Sequence, residues 1–147
     1  MKRWKIILLV IAILFILIQF IPVMRENPPV VGSPDWNSAQ TEKLARQACF
    51  DCHSNETQWP WYAYVAPVSW LVSSDVKEGR EHFNLSVPPF EEGDEAAEMI
   101  KDGKMPLDIY IRMHPEADLL EEEKQELIQG FQATFGKTDE EHEDQDH

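Results

Sequence analysis

The chain has 147 residues and a formal net charge of −14, from 27 Asp and Glu against 13 Lys and Arg. This length suits one modest domain, and the acidic balance argues against a protein that binds nucleic acid through a basic surface. The same balance is compatible with docking to a basic partner protein.

The N-terminal sequence is strongly apolar. After MKRWK, the stretch IILLVIAILFILIQFIPV (residues 6–23) has the length of a helix that crosses a hydrocarbon core. A cleaved signal peptide is the alternative, but no small-residue cleavage pattern follows. Lys2, Arg3 and Lys5 precede the stretch, so the positive-inside rule exports everything after it. We therefore predict a transmembrane anchor over residues 1–24, single-pass in a bacterial cytoplasmic membrane, with the C-terminal domain on the periplasmic side.

Three further regions follow the anchor. Residues 25–35 are rich in Pro and predict a short, stiff linker. Residues 137–147 (KTDEEHEDQDH) are acidic and lack apolar side chains, which predicts a disordered tail. Residues 36–136 between them predict one domain.

Helical periodicity predicts that this domain is all-α. Ser38 is the predicted N-cap of a first helix that carries Leu44, Ala45, Ala48, Cys49 and Cys52 on one face. A second helix is predicted to bury Val68, Leu71, Val72 and Val76 and to end near Gly79. A third covers about residues 94–101, with Ala96, Ala97 and Ile100 inward. The fourth runs from about Leu120 to Phe135, with Leu120, Leu127, Ile128, Phe131 and Phe135 inward, and Gly136 stops it. The core of such a domain is thin, so a large apolar cofactor at its centre would stabilise it.

The sequence CFDCH, residues 49–53, has the C-x-x-C-H spacing at which c-type haem is attached. Residues i and i+3 share a helix face, so Cys49 and Cys52 can reach the two vinyl groups of one porphyrin, and His53 can ligate the iron. A zinc site needs more ligands than this single knuckle supplies. A thioredoxin-like pair expects a βαβ setting, and a plain disulfide leaves His53 unexplained. We therefore predict one haem c, attached covalently through Cys49 and Cys52.

The second axial ligand has several candidates. Met105 follows Gly103 and precedes Pro106, so it lies in a loop away from helix geometry. Its thioether is the predicted sixth ligand, although a Met that fills a gap under the loop is the simpler alternative. Met113 and His114 are the next candidates. Met99 is more simply a core residue of the third helix, and His82 a solvated residue at a charged helix end. Met24 lies at the predicted membrane anchor, and His142 and His147 lie in the predicted tail.

Three stretches of the chain resemble the bacterial haem-binding domain family of small, membrane-anchored, single-haem c-type cytochromes. They are CFDCHSNETQWPWY, APVSWLVSSDVKEGREHFNLS and KMPLDIYIRMHPEADLLEEEKQEL, which together cover most of the exported domain. The resemblance implies a small cytochrome c-like helical domain with covalent haem at Cys49 and Cys52, ligation by His53, and Met105 as the other ligand.

Other side chains are candidates for contact with the porphyrin. Trp59, Trp61, Tyr62 and Trp70 could line its flat apolar face, or they could form an ordinary aromatic minicore. Arg80 could pair with a propionate, or with Glu78 or Glu81 in a surface ion pair.

The function predicted from these features is electron transfer between extracytoplasmic redox partners. A His/Met site leaves no open position for substrate, and no nucleophile–base pair stands out, so we do not predict an enzyme. A haem-based gas or redox sensor, or a peroxidase-like protein with an open sixth position, is the alternative.

Overall fold

The computed structural model describes residues 3–90 and 93–136. Its α-helices are α1 (Arg3–Ile18), α2 (Ala39–Ala48), α3 (Phe50–His53), α4 (Val68–His82), α5 (Gly93–Lys101), α6 (Asp108–Met113) and α7 (Glu121–Phe135). Short 3₁₀ helices cover Trp61–Tyr64 and Pro115–Ala117. The described residues contain no strand, which confirms the all-α prediction.

The predicted transmembrane helix is wrong. Helix α1 has 16 residues and spans ~24 Å at 1.5 Å per residue, whereas the hydrocarbon core of a bilayer is ~30 Å thick. After Ile18 the backbone N–H groups of residues 19–21 bond three residues back instead of four, and the Gln19 side-chain amide exchanges two hydrogen bonds with the backbone of Ala66. Within residues 3–90 and 93–136, no helix combines the length and the apolar character needed to cross a membrane.

The segment predicted as a linker runs along the surface of the domain. The side chain of Asn27 donates to the Thr57 carbonyl (2.8 Å). Further along, the backbone N–H groups of Val31 and Gly32 both donate to the carbonyl of Ser86. These contacts bring residues 27–32 next to the loops that follow α3 and α4.

The hydrophobic core lies between α2, α5 and α7. Among its buried side chains are Leu44, Ala45, Ala97, Ile100, Leu127 and Phe131. Helices α2 and α7 approach so closely that a Cβ on Gly130 would overlap the side chain of Thr41. The core is therefore built from the first, third and fourth predicted helices.

The ends of these helices follow local signals. The Ser38 side chain accepts a hydrogen bond from the backbone N–H of Thr41, which confirms it as the N-cap of α2. Helix α7 ends at Phe135 and Gly136 is its C-cap, as predicted. The predicted tail, residues 137–147, lies outside the described residues.

Some predicted inward faces are wrong. Val68 and Leu71 of α4 are exposed, whereas Ser69 and Val76 of the same helix are buried, so α4 presents a different face to the domain from the predicted one. Leu120 is also exposed (70%), since it precedes α7, and its N–H is held by the side chain of Glu123. Helix α6 was not predicted.

Candidate functional site: a cavity beside the C-x-x-C-H segment

The C-x-x-C-H segment is a helical turn rather than part of a long helix. Helix α2 ends at Ala48, Cys49 has a φ of −120°, and α3 begins at Phe50. The carbonyl of Cys49 accepts hydrogen bonds from the N–H groups of Cys52 and His53, so it organises the new turn. The predicted continuous face from α2 to Cys52 is thus interrupted, yet both sulfur-bearing side chains reach the same cavity.

Cys49 and Cys52 do not form a disulfide with each other. Without haem, burial, reinforced by the neighbouring Cys52, raises the pKa of the Cys49 thiol to about 12. Burial is also the main cause that raises the pKa of Cys52 to about 12, with a contribution from Asp51.

His53 is oriented by the backbone at the end of α4. Its Nδ1 lies 3.0 Å from the carbonyl oxygen of Phe83. A carbonyl can only accept, so Nδ1 carries the proton and Nε2 keeps its lone pair for a metal. Burial lowers the pKa of His53, which favours the neutral imidazole that a metal requires. This arrangement fits an iron ligand.

Helix α4 approaches the C-x-x-C-H turn very closely at Gly79. A Cβ at this position would lie 2.6 Å from the carbonyl oxygen of Cys52. The glycine therefore lets two backbones meet, and the same approach brings the Phe83 carbonyl within reach of His53.

A cavity of about 430 Å³ opens beside these residues. This volume lies within the roughly 300–1,000 Å³ range of cofactor and ligand sites. Its wall contains Cys49, Cys52, His53 and Met105 together with apolar side chains, among them Phe83, Ile100, Leu107, Leu119, Leu127 and Phe131. A concave, apolar space with two thiols and an available imidazole nitrogen on its wall fits a haem.

The turn after α5 presents Met105 to this cavity. Gly103 has a φ of +67°, and its N–H donates to the carbonyl of Ile100, while the N–H of Lys104 donates to that of Met99. This pattern of bonds is a Schellman motif, which ends the helix and reverses the chain. Met105 follows directly, and its own N–H also donates to Met99.

The other candidate ligands differ in position. Met113 is half-exposed (52%) and does not line the cavity. His114 has both ring nitrogens engaged, Nε2 with the Tyr62 hydroxyl (2.6 Å) and Nδ1 with Glu116 (3.1 Å). His82 and Met99 do line the cavity.

The structure does not bring the predicted aromatic contacts to the cavity wall. Trp59, Trp61, Tyr62 and Trp70 lie outside its lining. Trp61 is 76% exposed, and the indole N–H of Trp59 donates to the side chain of Asn27 (3.2 Å). Tyr62 instead contacts His114 at the end of α6.

Arg80 also lies away from the cavity lining. Its guanidinium donates to the carbonyls of Ser54 (2.7 Å) and Glu26 (2.8 Å) and to the side chains of Asn27 and Thr57. These four hydrogen bonds occupy the guanidinium group, so Arg80 joins the segment after α1 to the loop after α3. It pairs with neither Glu78 nor Glu81.

Sequence reasoning missed Tyr110, which lines the cavity. Its hydroxyl donates to Asp51 Oδ2 at 2.9 Å. Burial, followed by the Asp51 carboxylate, raises the pKa of Tyr110 well above its usual range, so the phenol stays protonated as a donor. No sequence pattern connects two residues this far apart.

The charged residues on the cavity wall were also missed. The cavity wall carries three carboxylates, from Asp75, Glu78 and Glu95, and one lysine side chain, from Lys124. Burial, and secondarily Glu78, raises the pKa of Asp75. The rim is therefore predominantly acidic.

Among the described residues, no group of three or more His, Cys, Asp and Glu side chains is arranged to hold a metal ion. The zinc alternative therefore lacks the further ligands that it needs from residues 3–90 and 93–136.

Comparison with known proteins gives one match. No curated protein and no solved structure is significantly similar to the chain. A family model described as "Haem-binding domain" matches residues 13–133, which is most of the sequence and includes the whole cavity wall. The chain therefore belongs to the haem-binding domain family, and its cofactor is haem.

Proposed function

We propose that this chain is a monohaem c-type cytochrome that carries electrons between redox partner proteins outside the cytoplasm. The observation that carries the proposal is the composition of one cavity wall, where Cys49, Cys52, His53 and Met105 occur together. Membership in the haem-binding domain family supports it.

Each residue has a separate role in this proposal. Cys49 and Cys52 would hold the haem covalently, through thioether bonds from their sulfur atoms. His53, oriented by the Phe83 carbonyl, would ligate the iron through Nε2. Met105 would supply its thioether as a second iron ligand. A bound haem supplies reversible one-electron chemistry, and a methionine ligand raises its reduction potential.

If His53 and Met105 both ligated the iron, no position would remain open for a substrate, so we propose a carrier rather than an enzyme. The carrier then needs only an exposed edge where electrons pass to and from a partner.

The acidic rim supports a partner with a basic surface. Asp75, Glu78 and Glu95 surround the cavity, and complementary charge speeds encounter more than it strengthens binding. A direct test compares oxidation of the reduced protein by a cationic and by an anionic small complex. We expect the double variant Glu78→Lys/Glu95→Lys to slow the cationic oxidant and to speed the anionic one. Equal rates for wild type and variant would remove the rim from the proposal.

The central experiment is optical spectroscopy of the full chain, produced with a c-type haem assembly system. Haem that stays with the polypeptide after denaturation, and that is lost in Cys49→Ala/Cys52→Ala, supports covalent attachment. A low-spin ferrous spectrum that CO leaves unchanged supports a closed His/Met site.

A pair of methionine variants tests the sixth ligand. We expect Met105→Ala to bind CO rapidly. Met113→Ala is the matched control, because Met113 is exposed and away from the cavity, and it should behave like wild type. Rapid CO binding by the wild-type protein would favour a sensor or a peroxidase-like protein instead.

A further inference from the structure

Met105 lies in a short segment that is supported at both ends. The Schellman motif around Gly103 supports its N-terminal side. On its C-terminal side lies α6, which has six residues and buries none of them. A helix this short, without a buried side chain, has little packing of its own to hold it in place. Other contacts must therefore hold α6 against the domain.

A polar array supplies those contacts. The Tyr110 hydroxyl on α6 donates to Asp51 Oδ2 at 2.9 Å. The Tyr110 ring stacks on His114, with centroids 4.4 Å apart and planes at 18°. His114 in turn contacts the Tyr62 hydroxyl (2.6 Å) and Glu116 (3.1 Å). The array joins α6 to α3 and to the 3₁₀ helix 61–64.

Asp51 is itself held firmly. Its other carboxylate oxygen, Oδ1, accepts from the N–H of Gln58 at 2.9 Å. Its carbonyl accepts from the Thr57 hydroxyl at 2.7 Å. Asp51 lies between Cys49 and Cys52, so a bond from Tyr110 to this carboxylate ties α6 to the C-x-x-C-H turn. Hydrogen bonds to an ionised acceptor are among the stronger ones in proteins.

We propose that Tyr110 and Asp51 are positioning residues that keep Met105 at the cavity, and that their hydrogen bond controls how often the sixth axial position opens. The inference rests on the proposed function, since it takes Met105 as an axial ligand. The Schellman motif holds the N-terminal side of the segment that contains Met105. The Tyr110–Asp51 bond holds its C-terminal side. Loss of the second support leaves Met105 attached at one end only.

The test is the rate of CO binding to the reduced, haem-loaded full chain. We expect Tyr110→Phe to raise this rate about tenfold or more, which corresponds to ~1.4 kcal/mol, and to weaken the absorption band of the methionine–iron bond in the oxidised protein. Tyr64→Phe is the matched control, because Tyr64 is exposed and outside the array. It should leave both quantities unchanged.

A second variant keeps the test decisive if Tyr110→Phe does not fold. Asp51→Asn replaces the carboxylate acceptor by a neutral amide, so the bond that it can still form with the Tyr110 hydroxyl is the weaker, neutral kind. It should therefore accelerate CO binding as well, by less than Tyr110→Phe. The double variant should add nothing to the larger single effect, because both changes act on the same bond.

Ser86→Ala tests whether a general loss of stability is enough to accelerate CO binding. Ser86 is fully buried, and its hydroxyl accepts from the N–H of Asn55 (3.0 Å), away from α6. This variant should unfold at lower urea and bind CO at the wild-type rate. If it also accelerated CO binding, Tyr110 would have no specific role.

Met105→Ala separates the two possible failures. Rapid CO binding in Met105→Ala, with wild-type rates in Tyr110→Phe and Asp51→Asn, overturns the positioning role and leaves the proposed ligand intact. Identical CO binding by wild type and Met105→Ala overturns the ligand itself, and the positioning role with it.

Discussion

Gly79→Ala tests whether the close approach of α4 to the C-x-x-C-H turn stabilises the domain. A Cβ at residue 79 would lie 2.6 Å from the carbonyl oxygen of Cys52, 3.1 Å from its carbonyl carbon and 3.2 Å from its Cβ. Non-bonded carbon atoms prefer separations of roughly 3.5–4.0 Å. The nearest obstacles are backbone atoms, so α3 and α4 must move apart to accept the methyl group.

Two opposing terms set the size of the effect. Overpacking a close contact costs about 1–3 kcal/mol, while Ala in place of Gly inside a helix stabilises by about 1 kcal/mol. Because backbone cannot rotate out of the way, we take the upper part of the overpacking range. The free energy of unfolding should then fall by about 1–2 kcal/mol.

Urea unfolding of the haem-loaded protein measures this change. Lys77→Ala is the control on the same helix, because the Lys77 side chain is 68% exposed, and such surface changes stay within about 0.5 kcal/mol. If Gly79→Ala were as stable as wild type while the control behaved as expected, the close approach inferred at Cys52 would be refuted.

Three further predictions concern the turns around the site. Gly103→Ala places a side chain at a φ of +67° and should lower the free energy of unfolding by about 1–2 kcal/mol; an unchanged urea midpoint would contradict the Schellman turn. Ser54→Ala removes a fully buried hydroxyl that donates to the Phe50 carbonyl and accepts from the Glu56 N–H. It should cost about 1–3 kcal/mol, and a loss below the error of the urea titration would contradict the assigned bonds. In the haem-free chain, the pKa of Cys49 rises from 9.0 to about 12 on folding. At pH 8 its alkylation by iodoacetamide should therefore be roughly 10²–10³-fold slower than in urea, and should accelerate as the pH rises; similar rates in both states would show that the thiol is not buried.

Residue patterns within a few positions of one another predicted much of the structure. Ser38, Gly136 and the C-x-x-C-H spacing all act through neighbouring backbone, so their effect is visible in the sequence. The membrane prediction failed because hydropathy over residues 6–23 does not show where the helix stops, and α1 stops at Ile18. Trp59, Trp61, Tyr62 and Trp70 lie outside the cavity lining, because composition shows that side chains are apolar and not which way they face.

The sequence by itself determined the helical class of the described domain, the two thiols beside a histidine, and a methionine in a turn after Gly103. Each depends on spacing along the chain. Only the tertiary structure decided that Met105 and His53 share one cavity, that Arg80 holds the N-terminal segment, and that Tyr110 reaches Asp51. These contacts join residues tens of positions apart, and their partners are chosen by the way the helices pack, which no local pattern encodes.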